Sequence, residues 1–154
     1  MTTNGVATLP MIRLLPPTAI DGYMVSARGL IPSLTLLAGL GSEHLRGSAL
    51  IAGMVVECAL KAFLTHAGMT ERELSNYPLG HNLETLWIEA VKRHLPLQEA
   101  PPQWCVVLNA LHGPPHYHLR YQSKAHGLVF PKAIDISTEI PKVFAFVEQA
   151  LRTP

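Results

Sequence analysis

The chain has 154 residues, 48% of them hydrophobic and only 15% charged, a length that suits one domain built around a single core. Its formal charge of +1 excludes strong non-specific nucleic-acid binding driven by net charge, although a local basic cleft stays compatible with it. So apolar a composition predicts that part of the surface is covered by a second copy of the chain, as a homodimer.

Residues 1–20, with Pro10, Pro16 and Pro17 and little periodicity, read as an extended arm, and residues 21–154 as an all-α domain. The arm lacks a basic region followed by an unbroken apolar core, so it does not have the pattern of a signal peptide. Asp21 can cap a first helix that runs to about Leu40 and that Pro32 should kink or split. Ser42 can cap a central helix from Glu43 to Ala67, apolar on nearly every face and therefore expected in the middle of a bundle. Its polar exceptions, Glu57 and Lys61, are spaced for a salt bridge with the acid first. They also argue against a membrane span, which makes a cytoplasmic protein without a membrane partner the expectation. Cys58 and Cys105 fall in apolar helical patterns and fit neither a disulfide framework nor a zinc site.

Thr70 to Glu73 has the pattern of a capping box for a short helix. A third long helix is predicted from His81 or Asn82 to Leu95, and a fourth from Pro101-Pro102 to Gly113-Pro114-Pro115. From His116 to Ile136 the pattern is not helical, and LVF and AIDI are strand-like. The last helix is expected from Ser137 or Thr138 to about Arg152, with Pro141 in its first turn. The sum is an up-and-down bundle of four to five helices with a short irregular or hairpin excursion before the last one.

Candidate chemistry concentrates in HGPPHYHLRYQSKAH, His112 to His126, which holds four of the eight histidines and no acid. Such a loop suits phosphate: Arg120 can form charge-assisted hydrogen bonds, His116, His118 and Lys124 add positive charge, and Tyr117 and Tyr121 can stack on bases. Glu57 on the central helix could orient Arg120 or fix a loop histidine, with Lys61 beside it. The plainer alternative is an ordered loop that Arg120 pins to Glu57, in a non-catalytic interaction module. His112, His116 and His118 also suggest a metal, but no acidic or cysteine ligand is near them in sequence, and no metal or cofactor is expected.

Three segments, in order, resemble the HEPN family of small helical domains from prokaryotic defence, toxin and nucleotide-handling systems. They are AGMVVECALKAFL around Glu57 and Lys61, GHNLETL from Gly80 to Leu86, and LRY from Leu119 to Tyr121. The resemblance implies a helical bundle, usually homodimeric, that binds RNA or nucleotides and is in many members a metal-independent ribonuclease. It also implies a partner of the nucleotidyltransferase or antitoxin kind. The family's arginine–histidine signature falls on Arg120 and His126, five residues apart. By that resemblance the histidine moves a proton at the ribose 2′-hydroxyl and the arginine stabilises the phosphate. Tyr121 departs from the polar residue that active members commonly carry after the arginine.

Overall fold

The structure, a computed structural model, describes residues 18–121 and 127–153, and in them six α-helices and no strands form one bundle. The first, α1 (Ala19–Gly39), starts three residues ahead of the sequence expectation because Thr18, not Asp21, is the N-cap. Asp21 is the third residue of the helix, and its side chain accepts from the Thr18 backbone in a reciprocal capping box. Thr18 to Ile20 thus belong to the helical body rather than to an arm, and residues 1–17 lie outside the described residues. Pro32 neither splits nor ends α1. Met24, Ala27 and Leu34 seal its inner face on both sides of the proline, and that burial outweighs the one hydrogen bond proline removes.

After Gly41, whose φ of 113° turns the chain, a single 3-10 turn (Ser42–His44) leads into α2 (Leu45–His66). α2 packs against α1 and, further along, against three more helices: α4 (Leu83–Lys92), α5 (Gln103–His112) and α6 (Ala133–Leu151). This encirclement is the physical reason that its apolar residues occupy every face. By length and composition α2 could cross a membrane, but most of it is buried inside the bundle. α3 (Glu71–Ser75) is the short helix with the Thr70–Glu73 capping box.

The segment before α6 contains no hairpin among the described residues. Ala133 to Ile136, strand-like in sequence, form the first turn of α6, and Ile136 is fully buried. Pro131 stands just before the cap residue Lys132, and Pro141 therefore sits well inside the helix rather than in its first turn. A short run of this kind satisfies a strand pattern and a buried helical turn equally; Ile136, Ile140, Val143, Phe144 and Val147 on one face decide for helix. At the opposite end Trp87 and Trp104 meet edge to face at 5.8 Å, with the Trp87 indole N–H donating to Gln98 O. Tyr77, by contrast, is exposed.

Candidate functional site

The site grows from one carboxylate. Glu57 and Lys61 sit one turn apart on α2, only 8% and 5% exposed, with Lys61 Nζ 2.8 Å from Glu57 Oε1. Two histidines complete the ring of donors. His112 Nε2 lies 2.7 Å from Oε2, and His81 Nδ1 lies 2.9 and 3.0 Å from Oε1 and Oε2. Burial would raise the Glu57 pKa, but hydrogen bonds from His112, Lys61 and His81 and the Lys61 charge together hold it down to about 2. An ionised carboxylate can only accept, so both ring nitrogens facing it carry hydrogens. That assigns Nδ1–H to His81 and Nε2–H to His112.

Each histidine is placed by local structure. His112 is the last residue of α5 and fully buried. Its ring lies against α2 at Gly53, where a Cβ would come within 2.3 Å of Nδ1, so only glycine leaves room for it. His112 Nδ1 is buried and has no hydrogen-bond partner among the described residues. His81 stands between Gly80, with φ of 29°, and Asn82, the N-cap of α4, whose side chain accepts from Thr85 N. From α5, Asn109 Oδ1 accepts from Leu83 N at 2.7 Å while Asn109 Nδ2 donates to Glu84. Gly113 presses on the same place, since a Cβ there would be 3.1 Å from His81 O. The GHNLE run therefore delivers His81 to Glu57 as a consequence of how α4 starts.

Arg120 arrives on the turn after α5, which Leu119 anchors by burial and by donating its N–H to Leu111 O. The guanidinium Nη2 stands 3.7 Å from Glu57 Oε2, longer than a hydrogen bond, with its side chain 30% accessible. It is also 3.5 Å from His112 Nε2, a contact between two donors rather than a bond. The His81 side chain is 40% accessible and meets Tyr117 edge to face at 5.8 Å; Tyr117 in turn meets the exposed Tyr121 at 6.3 Å. His116 and His118 stack on one another, and His118 O accepts from Arg46. Lys124 and His126 lie outside the described residues.

Of the residues singled out in the sequence, Glu57, Lys61, His112 and Arg120 come together, with Tyr121 nearby through Tyr117. Glu57 and Lys61 are buried beneath the more accessible Arg120 and His81 side chains. His112 is a histidine of the candidate segment that Glu57 was expected to fix, whereas His81 was not expected in this role. Their signals were a histidine directly before an N-cap asparagine and a histidine on the buried stripe of α5.

The metal ligands suggested by sequence, His112, His116 and His118, do not converge among the described residues. Glu57, His81 and His112 do, with one ligand atom from each mutually within 4.8 Å. Imidazole and carboxylate donors suit zinc, yet the Lys61 ammonium and the Arg120 guanidinium crowd the same carboxylate. Two fixed cations around one anion disfavour a third cation and favour an anionic ligand. No family model, curated protein or solved structure matches the chain.

Proposed function

We propose that the chain is an HEPN-like homodimer that binds RNA or a nucleotide by its phosphate, at the surface where Arg120 and His81 emerge above Glu57. Metal-independent RNA cleavage is the activity such a site suits. The observation that supports this reading is the imbalance of charge and donors around Glu57. Lys61 at 2.8 Å and His112 at 2.7 Å satisfy the carboxylate from the buried side. Arg120, at 3.7 Å, is held close to it without being consumed by it. A guanidinium kept in place at a partly exposed surface offers a planar fork of donors to a phosphate. Tyr117 and Tyr121 lie on the same side and supply ring faces for a base.

The test is binding of a single-stranded oligonucleotide and of a nucleoside triphosphate in chelator by wild type and Arg120→Ala, with the oligomeric state read by light scattering. The expected result is a dimer whose binding is lost in the variant without a change of fold. Equal binding by both proteins would rule out the role of Arg120, and a monomer would rule out the dimer.

One observation favours a second reading, an interaction module in which Arg120 pins its loop to α2: the guanidinium does approach Glu57. In that case Arg120→Ala lowers the melting temperature and leaves no ligand effect to measure.

A further inference from the structure

Away from the Glu57 site, α6 forms one wall of a long groove. Two hollows, of about 740 and 260 Å³, meet at Pro96 and Phe146. The opposite wall is made by the C-terminal ends of α2 and α4, and the groove runs on past Trp104 in the first turn of α5. Phe63, Ala67, Val143 and Ala150 line it, and Phe146, in its middle, is 39% exposed. Arg93 is paired with Glu89 and Lys142 with Glu139, so what the groove offers an occupant is apolar surface.

The start of α1 stands beside one end of this groove. Ile20 and Asp21 share a hollow with Leu151 and Arg152 at the end of α6, and the groove opens on the other side of that end, at Ala150 and Thr153. Rounding a helix about 10 Å across takes roughly five extended residues, and following α6 over residues 139–150, about 17 Å, takes roughly five more. Residues 1–17 are therefore long enough to do both. They hold Val6, Leu9, Met11, Ile12, Leu14 and Leu15 against one charged side chain, Arg13, a composition too apolar for a solvated tail. Pro10, Pro16 and Pro17 have no N–H, so fewer backbone donors go unpaired in a groove that offers no strand to pair with. A segment of the same chain also reaches the groove at an effective concentration on the order of millimolar, far above that of a second copy in dilute solution.

We propose that Leu9, Met11 and Ile12 of the same chain fill this groove, with residues 13–17 passing over the end of α6. The surface is thus an internal docking site for the start of the chain, and covering it keeps Phe146 from other apolar surfaces.

The experiment is limited trypsin digestion of the full chain, which has one tryptic bond in this segment, Arg13–Leu14. A protease must draw the residues on both sides of that bond into its own cleft, which docking of Leu9, Met11 and Ile12 prevents. A synthetic peptide of residues 1–20 gives the rate for the undocked segment, and intact mass follows the loss of residues 1–13. Cleavage in the full chain should be slower than in the peptide by a factor on the order of 10 or more at every protein concentration, because it follows the population in which the segment is undocked. Phe146→Ser removes the centre of the groove, and Leu9→Ser with Ile12→Ser removes the occupant; each should return cleavage to the rate of the matching peptide. Bonds after Arg46 and Lys61, within α2, report any unfolding in the same digest, and the Leu9 and Ile12 changes lie ahead of the helical body. Wild-type cleavage at the peptide's rate overturns the proposal, as does protection that survives either variant. Protection that grows with protein concentration gives the groove to a second copy and overturns it equally.

Discussion

Replacing Glu57 by glutamine should cost this bundle a large fraction of its stability. The substitution keeps the shape of the side chain but leaves the Lys61 ammonium, only 5% exposed, without its counter-ion at 2.8 Å. Removing one partner of a buried pair costs roughly 3 to 5 kcal/mol. A second route gives a similar figure. A carboxyl pKa lowered from 4.5 to about 2 on folding represents about 3 kcal/mol of preference for the native state at neutral pH. Because the folded pKa is the lower one, this stabilisation is fully present above pH 4.5 and is lost as the pH falls toward 2. Urea unfolding of wild type and Glu57→Gln at pH 7 reads the difference directly as a shift in midpoint. Below the folded pKa the two proteins should converge, since the wild-type carboxyl is then neutral as well. Adding Lys61→Met to Glu57→Gln removes the stranded charge and should recover much of the loss. A penalty under about 1 kcal/mol at pH 7, the value of an exposed pair, would refute the argument that this cluster is a desolvated charge network.

Other substitutions test how the site is held. Gly53→Ala places a methyl 2.3 Å from His112 Nδ1 and should cost about 1 to 3 kcal/mol by overpacking, displacing His112 from Glu57; a thermal shift measurement checks it. Asn109→Ala removes the cap on Leu83 N and the bond to Glu84, and should lower stability by about 1 to 2 kcal/mol in urea unfolding. Burial pushes the Cys58 thiol up to about 11 and Cys105 up to about 12, so neither should react with a thiolate-selective reagent at pH 8 in the native protein. Both should react in denaturant, followed by absorbance.

The sequence by itself determined the class of fold. α2 was legible because a helix apolar on all faces must be surrounded, and the 57–61 pair was legible because helical spacing puts an acid and a base one turn apart wherever the helix lies. The capping box at Thr70 was legible for the same local reason. Boundaries were lost where two local rules compete. Ala133 to Ile136 satisfy strand and buried helix alike, and Pro32 predicts a break that only the packing of Met24, Ala27 and Leu34 overrides.

Tertiary structure alone decided which histidines join the site. His81 and His112 lie 24 and 55 residues from Glu57 along the chain, and no local pattern connects them to it. Their meeting depends on a gap at Gly53 on α2, on Asn109 of α5 fixing the first turn of α4, and on Gly113 fitting against His81. A hydrogen bond between distant segments is set by where whole helices pack. Helical packing in turn depends on the fit of side chains that are not neighbours in sequence.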